Sequence, residues 1–206
     1  MEISLYIIIA YFLGSIPTAV WIGKSKFGID IREQGSKNAG ATNTFRVLGK
    51  RAGIIVLSID IVKGLVAVLI PFISGYSDWR SDALINIQLT CGIIAVAGHI
   101  FPLFAKFKGG KGVATSLGII LGIHPQAASI CILIFLAFFI ISNFVSLAAI
   151  AASLSFPILV HLLFDNNNTY LSIFSVLLSF AVIIAHRKNI KRLMKGEENK
   201  MNLFKK

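Results

Sequence analysis

Three apolar runs, residues 3–23, 52–73 and 84–104, carry only Asp60 and Lys63 as charged residues. Each is close to the ~20 residues that a helix needs to cross the roughly 30 Å hydrocarbon core of a bilayer. The rest of the apolar sequence divides at its punctuation. His124-Pro125 separates 112–123 from 126–141, because a residue before proline disfavours the helical region. Ser142-Asn143 breaks the chain before 144–163, Asp165-Asn166-Asn167-Asn168 reads as a turn, and 170–185 is the last span. The expectation is an all-α integral membrane protein of seven helices in a single domain, 1–206, with a basic tail from about 186. Five spans, with 112–141 merged or re-entrant, give the same sidedness.

Charge supports that layout. Only 14% of the 206 residues are charged, against about 25% in soluble domains. The net charge of +11 is not spread as a nucleic-acid surface would be. Of the 20 lysines and arginines, seven lie in 24–51, three in 105–111 and eight in 186–206. By the positive-inside rule these segments are cytoplasmic and the N-terminus is outside. Segments 74–83, 124–125 and 164–169 then face outward with one arginine and no lysine. Only Glu2 precedes the first run and the basic residues follow it, so that run reads as a retained anchor and not a cleavable signal. Cys91 and Cys131 lie inside apolar runs and read as packing residues.

Three cytoplasmic stretches carry side chains suited to anions. Gly35 to Arg46 holds Ser36, Asn38, Gly40, Thr42, Asn43 and Arg46: hydroxyls, amides and one guanidinium able to grip a phosphate bidentately. Its plainer reading is a solvated connector. Gly98 to Thr115 contains His99, Lys106, Lys108, Gly109, Gly110, Lys111 and Gly112 at the join of two apolar runs. It is not a nucleotide P-loop, since Ala105 stands where the first glycine belongs and Gly112 follows Lys111. It reads as a glycine nest entering a helix near Gly112, a natural anion site, or more plainly as a surface turn with snorkelling lysines. The tail, His186 to Glu198, is first a positive-inside stop signal, which accounts for its cations but not for His186, Asn189 or Glu198. Asp60 and Lys63 share a helix face three residues apart and read as a structural ion pair. Ser146 reads as an ordinary back-bonding hydroxyl, and His124 and His161 as structural.

Taken together, these stretches resemble the bacterial acyl-phosphate:glycerol-3-phosphate acyltransferases, from Gly14-Ser15-Ile16-Pro17 to Glu198. Ser36 to Arg46 is similar to the family's first motif, Gly98 to Thr115 to its second and His186-x-x-Asn189-Ile190-x-Arg192-Leu193 to its third. Asp60-Ile61-Val62-Lys63-Gly64 and Ser146-Leu147 also fit. Lys37 departs from the pattern, standing where the family usually has glycine; lysine takes positive φ only reluctantly.

The resemblance implies transfer of a long-chain acyl group from acyl phosphate to the sn-1 hydroxyl of glycerol 3-phosphate. The products are lysophosphatidic acid and inorganic phosphate, an early step of bacterial phospholipid synthesis in the cytoplasmic membrane. It implies that Ser36, Arg46, His99, Lys108 and Asn189 are catalytic. Asn38, Gly40, Thr42, Asn43, Gly109, Gly110, Lys111, Gly112, Thr115, Ser146 and His186 would bind substrate, the glycines through close backbone approach. The base is either His99 or a substrate phosphate, and the reading leans to the phosphate with His99 orienting. No metal or other cofactor is expected, and no nucleic acid; membrane lipid is, and the basic face leaves a place for a soluble enzyme that makes acyl phosphate. The His-x4-Asp pair of acyl-CoA or acyl-carrier-protein acyltransferases is absent, the positions five after His99, His124, His161 and His186 being Phe104, Ser129, Asn166 and Lys191. The alternative from another class is a transporter or channel for a phosphorylated solute, but its site would be expected near the membrane midplane.

Overall fold

The computed structural model describes residues 3–75, 81–164 and 168–201. Glu2, Arg80, Asp165, Asn166, Asn167, Lys205 and Lys206, all used in the sequence argument, lie outside them. Among the described residues every regular element is helical, and the chain divides into two units, Met1–Ile123 and His124–Lys206.

In the first unit, α1 (Ile3–Gly14) and α2 (Thr18–Phe27) are one apolar stretch interrupted at Ser15-Ile16-Pro17. Pro17 has no N–H to continue the ladder and pushes Ile16 out of the helical region. After α3 (Ala41–Leu48) come α4 (Lys50–Ile73), α5 (Asp82–Ile100) and the short α6 (Val113–Ile123). Small residues let these helices pack at backbone distance, as membrane helices do. A Cβ on Gly64 of α4 would overlap the Thr115 carbonyl of α6, and one on Gly118 of α6 would overlap the Ile61 carbonyl of α4. The outward faces are apolar: Ile54, Val62 and Ile73 of α4 are half or more exposed, while Asp60 and Lys63 of the same helix are buried. A helix with its charges inside and its aliphatics outside is arranged for lipid.

The second unit packs α7 (Pro125–Ser142) on α8 (Val145–Ile158) and α8 on α9 (Thr169–Ala185). Proline at the first position of α7 costs no hydrogen bond there, and His124 Nδ1 caps the helix by accepting from Ala127 N at 3.3 Å. Asn143, at φ 60°, turns the chain into α8, which passes after Pro157 into a π turn at Leu159–Leu163. α10 (Arg187–Met194) leaves α9 at a 61° bend. Leu133, Ile140, Ile141 and Leu162 point outward here.

Among the described residues five stretches are long and apolar enough to cross a membrane, the interrupted α1–α2 counting as one; the bent α9–α10 pair makes a sixth. The seventh expected span, α6, has only 11 residues, about 16 Å at 1.5 Å each. The run predicted over 84–104 stops as a helix at Ile100, because Pro102 ends it. Cys91 and Cys131 are buried and unbridged, as expected.

Candidate functional site

The glycine–lysine segment of the first unit forms a tight loop between α5 and α6. The Pro102 carbonyl accepts from Ala105 N (3.1 Å) and Phe107 N (2.9 Å), and the Ala105 carbonyl from Lys108 N (3.2 Å). Lys106 and Phe107 both hold positive φ, 55° and 58°. Two successive side-chain-bearing residues in that region are costly, and such strain collects at functional turns. Arg32 clamps the outside of the loop: Nη1 donates to the Ala105 carbonyl at 2.8 Å while Nε and Nη2 fork onto Asp30 at 2.9 and 2.6 Å. That fork holds the Asp30 carboxyl far below the usual carboxylate range. Beside it an open cleft of about 250 Å³ is lined by Asp30, Arg32, Glu33, Lys106 and Lys108. Nothing in the sequence singled out Asp30 or Arg32, since their partner is a backbone carbonyl 73 positions away from Arg32.

Gly109 and Gly110 do not form the anion nest that the sequence suggested. Gly109 N donates to the Ile100 carbonyl at 3.1 Å and Gly110 N to the His99 carbonyl at 3.2 Å. Their N–H groups are therefore spent on the chain and are not presented to a ligand. What the missing side chains provide is room. A Cβ on Gly109 would overlap the His99 carbonyl oxygen; one on Gly110 would overlap His99 Nε2 and come within 3.2 Å of the Ala39 carbonyl. Gly112, at φ 82°, opens α6, and its carbonyl accepts from Ser116 N at 2.7 Å. Thr115 is fully buried in the first turn of α6.

Gly110 thus sits against the first motif, whose loop is knit together by one side chain. Asn43 is buried; its Oδ1 accepts from Ser36 N at 2.9 Å, and its Nδ2 donates to the carbonyls of Ile31, Gln34 and Asn38 at 3.0–3.1 Å. Asn43 is thus tied to the backbone through both its carbonyl and its amide, so it shapes the loop. Ser36 is left exposed, with Asn38, Gly40, Thr42 and Arg46 partly so. The first unit therefore brings the first and second motifs together.

In the second unit a carboxylate organises the third motif. Glu198, only 7% exposed, accepts from Ser146 Oγ at 2.9 Å, Asn189 Nδ2 at 2.7 Å and Arg192 Nε at 2.7 Å. Burial raises its pKa, but the three donors outweigh that and hold the carboxyl below its ordinary value. Met201 N donates to the Asn143 carbonyl at 2.9 Å and Lys200 lies over the Phe144 ring, so the tail is strapped to the start of α8. His186 Nδ1 donates to the Val182 carbonyl at 2.8 Å, which puts the ring proton on Nδ1. Ser146, read as a back-bonding hydroxyl, is instead a donor to Glu198.

A glycerol-3-phosphate acyltransferase family model matches residues 4–196. The chain belongs to this family. Glycerol-3-phosphate acyltransferases of Streptococcus pyogenes serotype M5 (strain Manfredo) and serotype M49 (strain NZ131) are each 45% identical over 206 residues, covering 97% of this chain and 93% of theirs. Two crystal structures of PlsY (YgiH), an integral membrane glycerol 3-phosphate acyltransferase, superpose on nearly the whole chain. The glycerol 3-phosphate form does so with TM-score 0.88 and 35% identity, covering 98% of this chain and 99% of that one. For the lysophosphatidic acid form the values are 0.83 and 34%, with 97% and 95% covered. The chain is thus an integral membrane acyltransferase.

In this acyltransferase the one departure from the family pattern has a definite conformation. Lys37 is exposed and takes φ 59°, the backbone a glycine would adopt freely. The left-handed region costs an L-residue about 1–2 kcal/mol, and glycine loses about 0.5–1 kcal/mol more chain entropy on folding. Lys37→Gly should therefore stabilise the protein by roughly 0.5–1 kcal/mol, or about 1–3 °C in melting temperature for a chain of this size. Thermal unfolding in detergent checks this; a lower melting point would show that the Lys37 side chain itself contributes.

Proposed function

We propose that the enzyme transfers a long-chain acyl group from acyl phosphate to the sn-1 hydroxyl of glycerol 3-phosphate, releasing lysophosphatidic acid and inorganic phosphate. The setting is the bacterial cytoplasmic membrane, with seven passes including the short α6 and an external N-terminus. The observation that carries this reading is the 35% identical relative solved in a glycerol 3-phosphate form, which also exists in a lysophosphatidic acid form. Those forms support the acceptor and the product. The donor rests on chemistry: the His-x4-Asp pair is absent, and an acyl phosphate is already activated, so positioning and charge stabilisation suffice.

In the reaction the acceptor hydroxyl oxygen attacks the acyl carbonyl carbon. The bond from that carbon to the phosphate oxygen breaks, and phosphate leaves with the electron pair. The hydroxyl proton passes to a phosphate oxygen, whose second pKa near 6 suits it to the task at neutral pH. His99 is buried against Gly110, which favours an orienting role over that of base. Ser36, Arg46, Lys108 and Lys111 of the first unit are the groups assigned to phosphate and to the developing oxyanion, with Thr115 in support. Ser146, His186 and Asn189 carry the family's assignments in the second unit.

Purified protein given palmitoyl phosphate and glycerol 3-phosphate, with no metal added, should release phosphate and lysophosphatidic acid in equal amounts. Palmitoyl-CoA should give none. Turnover with palmitoyl-CoA would overturn the donor, and uptake of glycerol 3-phosphate into sealed vesicles without acyl product would favour a transporter.

A further inference from the structure

Inside the first unit a buried ion pair outside the three motifs lies against His99 of the second motif. Lys63 Nζ is 2.7 Å from Asp60 Oδ1, and the two residues are 4% and 2% exposed on a helix otherwise made for lipid. Lys63 also donates at 2.9 Å to the Ile16 carbonyl, one of the acceptors freed by the break before Pro17. Thr18 Oγ1 donates to the same Asp60 oxygen at 3.2 Å, and His99 Nδ1 lies 3.8 Å from it. Among the described residues His99 Nδ1 has no hydrogen-bond partner. The opposite edge of the ring, Nε2, fills the space a Gly110 side chain would need, and the His99 carbonyl holds the Gly110 N–H.

This cluster surrounds a cavity of about 10 Å³, lined among others by Thr18, Asp60, Lys63, His99, Gly109 and Gly110. That is room for about one water molecule and far too little for glycerol 3-phosphate. The charges therefore act at one remove from the chemistry. A buried ion pair is poor evidence of stability in itself, but it fixes geometry well when its remaining valences are directed. Here Lys63 is tied to the Ile16 carbonyl on one side, and on the other Asp60 Oδ1 faces His99 Nδ1 at 3.8 Å, a contact longer than a hydrogen bond.

We propose that Asp60 and Lys63, with Thr18, are positioning residues that set the His99 ring and, through it, the Gly109–Gly110 backbone from which Lys108 and Lys111 reach substrate phosphate. This rests on the acyl-transfer reading above. The pair is then a rigid link between the helix break at Ile16 and the phosphate loop, and it sets glycerol 3-phosphate affinity without touching the substrate.

The test uses the full chain in detergent, with the charge-neutral double variant Asp60→Asn/Lys63→Met and the milder Thr18→Val. Hydrogen exchange across 99–112 is read by mass spectrometry, with α8 as an internal reference, beside KM and kcat for glycerol 3-phosphate. In the double variant the Gly109 and Gly110 amides should exchange faster while α8 does not. KM should rise by about tenfold with kcat within about twofold, since the link orders a binding loop and not the reacting atoms. Thr18→Val should move both readouts the same way by a smaller factor, and it decides the matter if α8 shows that the double variant has unfolded. Unchanged exchange at Gly109 and Gly110 in a folded variant would overturn the proposal, as would faster exchange with KM unaltered. Failure of the wild type to turn over acyl phosphate would sink the functional reading instead, and the exchange data would still decide the link.

Discussion

Gly109→Ala is expected to lower kcat/KM for glycerol 3-phosphate-dependent acyl transfer by about two orders of magnitude, the loss typical of a catalytic group displaced by about 1 Å. The new methyl group has nowhere to go. It would overlap the His99 carbonyl oxygen while standing 2.6 Å from Pro102 Cδ and 2.7 Å from the Ile100 carbonyl. None of these is the far end of a flexible side chain. The loop must back away, which breaks the hydrogen bonds from Gly109 to Ile100 and from Gly110 to His99 and moves Lys108 with them. Overpacking of this kind also costs about 1–3 kcal/mol of stability. Gly28→Ala is the control for backbone strain without overlap: Gly28 holds positive φ, 68°, and a Cβ there has no neighbour within 4 Å. It should lose about 1–2 kcal/mol from backbone strain alone and keep its KM. Kinetics and thermal melts of the two variants together test the argument. Wild-type kcat/KM in Gly109→Ala would mean that the loop is not fixed in the working enzyme.

That prediction turns on the part of the site that the sequence showed only halfway. The cluster of glycine, lysine and histidine was legible as a turn between two helices, and the pairing of Asp60 with Lys63 was legible because spacing on a helix is local. What the glycines do was not legible. An anion nest and a close fit against a histidine both demand glycine, and only the partners of the Gly109 and Gly110 N–H groups tell them apart. Asn43 shows the same limit: an amide between hydroxyls suggests a ligand, yet it acts on four backbone groups of its own loop. Helix positions followed from apolar length and one boundary from Pro125, while the breaks at Pro17 and Pro102 fell inside runs read as continuous. The count of spans did not follow as simply, since α6 is shorter than a bilayer and α9 reaches spanning length only with α10 across a 61° bend. Glu198 lay in plain view as a carboxylate in a basic tail. Its partners are 52, 9 and 6 residues away, beyond any periodicity.

Glu198 carries the second large effect. Glu198→Ala should destabilise the second unit by about 3 kcal/mol, because Ser146 and Asn189 are left as buried donors without their acceptor at about 1–3 kcal/mol each, while Arg192, 34% exposed, can turn to water. Activity should fall with it, since the variant frees two residues assigned to the site and releases the strap that Met201 and Lys200 complete. Ser146→Ala removes one donor and leaves the carboxylate two, so its cost should stay near 1 kcal/mol. The wild-type contribution also depends on pH, and its sign is fixed. The folded carboxyl titrates below its unfolded value, so its stabilisation is complete above about pH 4.3 and is lost as pH falls through the lowered folded value. Glu198→Gln has nothing to titrate and turns an amide toward the Arg192 guanidinium. The gap in melting temperature between wild type and Glu198→Gln should therefore be widest at neutral pH and shrink steadily as the solution is acidified below pH 4.3. A gap that stayed constant down to pH 3 would mean that the charge on Glu198 does not hold the tail, and that shape alone does.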